Sequence, residues 1–210
     1  MKIAIIDYGM GNIHSLKAAI KEVNPEIDII LTNEHKSLNR VDALFLPGVG
    51  HFGAAVEKLQ QYSLIEFLRE LVLEKNKPLF GICLGMQLLF DSSDESPNSK
   101  GLGLIEGSVT KFKNEPYKVP HIGFNTITVN SRNGDMLNNI DSNDFYFVHS
   151  YAAKEIDKLN DNCSYSRCLY NDEFIASVEK KHIWGTQFHP EKSQRSGLGI
   201  IKNFINKYVD

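Results

Sequence analysis

Hydrophobic positions in the first half of the chain switch repeatedly between two periods. Short apolar runs at Lys2–Tyr8, Glu26–Leu31, Val41–Leu46 and Pro78–Ile82 read as buried strands. Between them apolar residues recur every three or four positions, as at Ile13, Leu16, Ala19, Ile20 and Val23. That spacing predicts a helix over Asn12–Val23, and similar patterns predict helices over Ala54–Gln60, Leu64–Leu73 and Leu84–Phe90. Strand–helix units of this length imply an α/β fold: an open, mainly parallel central sheet flanked by helices. The second half carries shorter strand-like runs: Gly107–Phe112, Asn125–Val129, Phe145–Val148, Ser166–Tyr170, Phe174–Glu179 and His182–Gln187. They predict an additional, smaller strand-rich portion, closed by a helix over Gly199–Tyr208. No repeat or long linker divides the chain, so a single domain over residues 1–210 is expected.

Composition narrows the function classes. The 210 residues carry a net charge of −3, which gives no reason to expect nucleic acid or an acidic membrane surface as a partner. No apolar run is long enough to span a bilayer, and MKIAIIDYG reads as a core strand rather than a signal peptide. Three cysteines, Cys83, Cys163 and Cys168, suggest a reducing cytoplasm without a disulfide framework. Cys163 and Cys168 lack the second pair a zinc site needs, so no metal is expected. Gly9-x-Gly11 lacks the third glycine of a dinucleotide loop, since His14 occupies that position.

Ligands of open parallel sheets bind at the carboxyl ends of the strands. Four unusual segments fall at such ends: DYGMGN, LPGVGHFG, GICLGMQ and QFHPEKS. In GICLG, Cys83 sits between two glycines at a strand-to-helix joint, the spacing of a nucleophile elbow. A helix start presents free N–H groups and a positive dipole end, a setting that favours thiolates and supplies an oxyanion donor. A thiol nucleophile needs a base, and the base an orienter. Pro190 biases His189 towards extended backbone, where Glu191 points the same way and can hold one ring nitrogen. The two glycines of Pro47-Gly48-Val49-Gly50 can present a second backbone N–H. Taken singly, each feature also has a plain reading: a buried cysteine, a surface turn, a tight loop.

Together DYGMGN, FLPGVGHFG, GICLGMQLLF, GLGLIEG, VPHIGFN, FYFVHSY and WGTQFHPEKS resemble the class I, triad-type glutamine amidotransferases, across essentially the whole chain. LPGVG, DYGMGN and VPHIGFN are most similar to the glutaminase subunits of imidazole glycerol phosphate synthase. The resemblance implies a flavodoxin-like fold and hydrolysis of L-glutamine to glutamate and ammonia through a cysteinyl thioester. It implies Cys83 as nucleophile, His189 as acid/base and Glu191 as orienter, with Leu84 and the Val49–Gly50 segment as oxyanion hole. Gly50, Gln87, Glu95 and the backbone of His149, Ser150 and Tyr151 match glutamine-binding positions. Asn12, Phe124, Asn125 and Lys192 match positions facing a (β/α)8-barrel cyclase, the other half of a heterodimer. There ammonia yields imidazole glycerol phosphate and aminoimidazole carboxamide ribotide for histidine biosynthesis. No cofactor is implied. Phe124 departs from the family's usual tryptophan, which leaves open a paralogue serving another synthase, such as one that amidinates surface sugars. A cysteine peptidase and a non-catalytic scaffold are the readings from other classes.

Overall fold

The computed structural model describes residues 1–129, 134–155, 159 and 163–209. The first half runs β1 (Lys2–Ile6), α1 (Ile13–Val23), β2 (Asp28–Thr32), α2 (His35–Asn39), β3 (Ala43–Gly48), α3 (Phe52–Gln61), α4 (Leu64–Leu73), β4 (Leu79–Cys83) and α5 (Leu84–Gln87). The second half runs β5 (Ser92–Ser93), β6 (Ser108–Lys111), β7 (His121–Thr126), β8 (Thr128–Val129), β9 (Asp144–His149) and β10 (Tyr151–Ala153). It continues with β11 (Cys163–Tyr170), β12 (Asp172–Lys180), β13 (Ile183–Thr186), a 3-10 turn at Pro190–Lys192 and α6 (Gln194–Tyr208).

Eight strands form the main sheet in the order β2-β1-β3-β4-β13-β12-β11-β8. The first five are parallel, and β12, β11 and β8 extend them antiparallel. The smaller strand-rich portion is two extra sheets, β10-β6-β5 and the antiparallel pair β7-β9. Every residue of β3 and β4 is buried, as a parallel strand covered on both faces requires. One core cluster packs beneath α3 and α4, the other beneath α1 and α6. In the second, Phe204 of α6 meets Phe45 and Phe80 at ring-centroid distances of 5.1 and 5.2 Å. Each such buried ring contributes roughly 1.5–3 kcal/mol, against about 1 kcal/mol for a helix cap. Packing therefore holds α6, whose N-cap, Ser193, makes no side-chain capping bond.

Several boundaries differ from the sequence pattern for identifiable reasons. The helix expected to run to Phe90 stops at Gln87. The carbonyls of Leu88, Leu89 and Phe90 instead accept N–H groups from Leu102, Leu104 and Gly103. β1 ends at Ile6, and Tyr8 turns inward to donate its hydroxyl to the Pro47 carbonyl at 2.9 Å. α6 begins at Gln194 rather than Gly199. The polar loop Asp91–Lys100 contains β5, which pairs parallel to β6.

Register brings the predicted loops together. Gly48 of β3 lies opposite Cys83 of β4, and Thr186 of β13 opposite Ile82. Three carboxyl ends, far apart in sequence, thus lie side by side.

Candidate active site

Cys83 occupies the sharp joint between β4 and α5 with φ +55° and ψ −110°. Such backbone is rare for a residue with a side chain and costs of order 1–3 kcal/mol, so the surroundings must enforce it. Gly85 is part of that enforcement: a Cβ there would come within 1.7 Å of the Leu46 carbonyl oxygen. The elbow packs directly on β3 because no side chain intervenes. Cys83 is 5% exposed. Its Sγ lies 4.0 Å from the Val148 carbonyl and accepts a long contact from Gln187 Nε2 at 3.8 Å. Because α5 is a single turn, it sums few peptide dipoles, and the helix-dipole contribution expected from the sequence is correspondingly small.

Beyond β13 the chain reaches His189 in extended backbone, and Pro190 opens the 3-10 turn. His189 Nδ1 and Glu191 Oε1 are 2.8 Å apart, with both side chains buried. A carboxylate only accepts, so Nδ1 carries the proton. Nε2 is buried without a hydrogen bond of its own and faces Cys83. Burial opposes the charged imidazole, but Cys83 and then Glu191 favour it more strongly and push its pKa up to about 10. Ser193 anchors the turn, donating to the His189 carbonyl at 2.7 Å and accepting the Tyr146 N–H at 2.9 Å.

A cavity of about 340 Å³ opens over Cys83. Its wall holds Val49, Gly50, Leu84, Gln87, Glu95, His149, Ser150 and Tyr151, with Pro120 and Val148 between them. Gly50 has φ +104°, a conformation glycine reaches without strain, so this loop has the freedom to reorient its peptides. Glu95 Oε2 accepts the Phe52 N–H at 2.7 Å at the start of α3, so a bound ammonium would share an engaged carboxylate. Gln87 Nε2 donates to the Tyr151 carbonyl at 2.9 Å and to Gln187 Oε1 at 3.0 Å. His189 and Glu191 lie behind this wall rather than in it. A larger cavity of about 930 Å³ lies between α1 and α6, bounded by Glu191 and Phe124 but not by Cys83.

The remaining predicted positions lie outside the cavity. Asn12 accepts the Ser15 N–H at 3.4 Å and caps α1. Phe124 is half exposed on β7, edge-on to Tyr146 at 5.7 Å, and the Lys192 ammonium sits over the same Tyr146 ring. Asn125 Nδ2 donates to the Leu169 carbonyl at 3.3 Å. Gln187 and Tyr8 lie within the segments QFHPEKS and DYGMGN, where the sequence pattern assigns them no role, yet they prove central. Gln187 links Cys83 to Gln87, and Tyr8 braces Pro47; burial, then the nearby Cys83, hold its phenol well above the usual range. Cys163 packs in the core on one side of the sheet and Cys168 in the other, and burial pushes the Cys168 thiol up to about 12. Among the described residues no group of three or more histidine, cysteine, aspartate or glutamate side chains is arranged to hold a metal. None of the helices described is long and apolar enough to cross a membrane.

Comparison with known proteins gives a consistent result. The family model "Glutamine amidotransferase class-I" matches residues 4–208. An "Imidazole glycerol phosphate synthase subunit HisH 2" from Methanococcus maripaludis is 42% identical over 98% of this chain and 99% of its own. A protein of the same name from Vibrio vulnificus is 44% identical over 98% of this chain and 94% of its own. Among solved structures, a glutamine amidotransferase superposes with a TM-score of 0.73 at 19% identity, covering 97% of each chain. A chain of PurLQS from Thermotoga maritima gives 0.71 at 16% identity, covering 98% of each chain. At such identities the structural neighbours speak for the fold.

Proposed function

Because the chain belongs to the class-I glutamine amidotransferase family, we propose that it is the glutaminase subunit of an imidazole glycerol phosphate synthase. Relatives more than 40% identical over nearly their full length are named as imidazole glycerol phosphate synthase subunits. The observation that supports the activity most directly is the cavity over Cys83, with the His189–Glu191 pair behind it.

In this reading the Cys83 sulfur, as thiolate, attacks the side-chain carbonyl of L-glutamine. The N–H of Leu84 and one from the Val49–Gly50 segment hold the oxyanion. His189 rests as an imidazolium, consistent with its raised pKa, and gives its proton to the departing ammonia. The neutral imidazole then takes a proton from water, whose hydroxide cleaves the γ-glutamyl thioester and releases glutamate. Sulfur and imidazolium are thereby restored. Glu191 keeps the imidazole oriented and compensates its charge. Gln87, Glu95 and the His149–Tyr151 strand bind the amino acid, the carboxylate of Glu95 pairing with its ammonium.

Ammonia passes to a (β/α)8-barrel cyclase docked across Asn12, Phe124, Asn125 and Lys192. Exposed Ile122 and Phe124 on β7 give that face an apolar centre. The test is turnover of glutamine by the chain with and without a cyclase barrel and its nucleotide substrate, together with labelling by an electrophilic glutamine analogue. Label on Cys83 and coupled formation of imidazole glycerol phosphate are expected. Label on Cys163 or Cys168, or cleavage of peptides in preference to glutamine, would overturn the assignment.

A further inference from the structure

Two buried histidines beside the cavity are left without a side-chain role by this mechanism. His121 of β7 and His149 of β9 face each other across the strand pair. His149 Nδ1 lies 2.8 Å from the Tyr151 carbonyl, and its Nε2 lies 3.1 Å from His121 Nδ1. The direction of the series follows from the acceptor at its end. A carbonyl only accepts, so His149 carries its proton on Nδ1 and leaves Nε2 bare. His121 must then donate from Nδ1, which leaves its own Nε2 bare. That nitrogen lies 3.4 Å from Asn125 Nδ2, an amide donor. Each bond in the series fixes the tautomer of the next ring.

The imidazole plane of His121 is fixed as well. Its ring stacks on Phe147 at 4.8 Å and on Tyr170 at 4.0 Å, with interplanar angles of 20° and 18°. Tyr170 is itself tied by its hydroxyl to the Lys118 carbonyl at 2.6 Å. At the far end, the Tyr151 carbonyl receives two N–H groups, from His149 and from Gln87 Nε2. The peptide whose orientation shapes the cavity wall is therefore held by a series that begins on β7.

We propose that His121 is a positioning residue for the glutamine subsite, acting through His149 on the Tyr151 peptide. The assignment rests on the glutaminase reading for its substrate and on geometry alone for its mechanism. Without a donor at His121 Nδ1, His149 is free to take the other tautomer, and the Tyr151 carbonyl then loses one of its two bonds. Burial holds the pKa values of both rings down, at about 4 for His121 and about 3 for His149, so the neutral forms the series needs are the ones present.

The test compares His121→Phe, which keeps a stacked ring without a donor, with His121→Asn, which places an amide nitrogen where Nδ1 was. In the complex with a cyclase barrel, His121→Phe is expected to raise the KM for glutamine about tenfold with a smaller change in kcat. His121→Asn is expected to restore most of that loss. Nitrogen-15 spectra of histidine-labelled chain should show His149 protonated at Nδ1, and mixed tautomers in His121→Phe. Equal losses in both variants, an unchanged KM in His121→Phe, or an Nε2-protonated His149 in the unaltered chain would overturn the proposal. Should the Phe variant fail to fold, the tautomer of the unaltered chain and the Asn variant still decide it. Absence of any glutamine turnover by the unaltered complex would sink the functional reading instead, and leave the spectra to judge this one.

Discussion

His189 and the pair His121–His149 are equally well hidden from solvent, yet their surroundings drive them to opposite charge states. All three side chains belong to residues less than a tenth exposed. Burial disfavours an imidazolium in each case. At His189 the sulfur of Cys83 and the carboxylate of Glu191 reverse that preference, and the pKa rises to about 10. At His121 and His149 the neighbours are aromatic rings, another imidazole and a carbonyl, and burial wins. Burial alone therefore does not decide what a histidine does. A charged partner at hydrogen-bond distance makes a proton carrier, and neutral partners make a directional strut.

Removing the proton carrier should produce the largest effect. His189→Asn is expected to lower kcat for glutamine at least about 10³-fold, since one group serves both half-reactions. Steady-state glutamine hydrolysis in the complex measures it, and a loss below about tenfold would place the acid/base elsewhere. Glu191→Gln should be milder, about 10²-fold, because the imidazole keeps a hydrogen-bond partner but loses the charge that supports it. Its pH–rate profile sharpens the comparison: with Glu191 neutral, the His189 pKa should fall back towards the ordinary range, so activity that needs the imidazolium declines at lower pH than in the unaltered chain. The double variant should be scarcely slower than His189→Asn, and a product of the two losses would mean that the residues act separately.

The strut is harder to see in the sequence than the carrier, for a physical reason. Cys83 announces itself through Gly81 and Gly85, because tight backbone packing leaves a local trace. His189 and Glu191 do so through Pro190, which fixes local backbone. The parallel half of the sheet is legible for the same reason, since helix and strand periods are local. Gln187, Tyr8 and His121 owe their roles to residues 100, 39 and 28 positions away in the chain. No period encodes such pairing. The antiparallel extension of the sheet is equally hidden: the strand runs are visible, but not that β13 inserts beside β4 and draws β12 and β11 after it. The end of the helix after Cys83 leaves no local mark either, because the competing N–H groups come from residues 102–104.

The smallest effect expected is on stability, and its sign separates the two kinds of histidine most cleanly. His121 and His149 have pKa values of about 4 and about 3 when folded, below the ordinary value near 6.5. Between those limits the unfolded chain binds more protons than the folded one, so stability falls as pH falls from about 6.5 and stops falling only below the folded values. His149 also feels the positive charge of His189, and that of His121 once it ionises in acid, which deepens the effect at low pH. His189 behaves in the opposite way: its folded pKa, raised against the effect of burial to about 10 by Cys83 and Glu191, makes stability fall as pH rises from about 6.5 through that value. Each histidine that takes up a proton on unfolding adds roughly 1.4 kcal/mol per pH unit to the slope. Replacing His121 with Asn should therefore flatten the acid limb of stability between about pH 6 and 5 by that amount and leave the alkaline limb unchanged. Urea unfolding of the unaltered chain and His121→Asn at several pH values gives both slopes directly. An unchanged acid limb would mean that His121 is already free to ionise in the folded protein, and the contrast between strut and carrier would collapse.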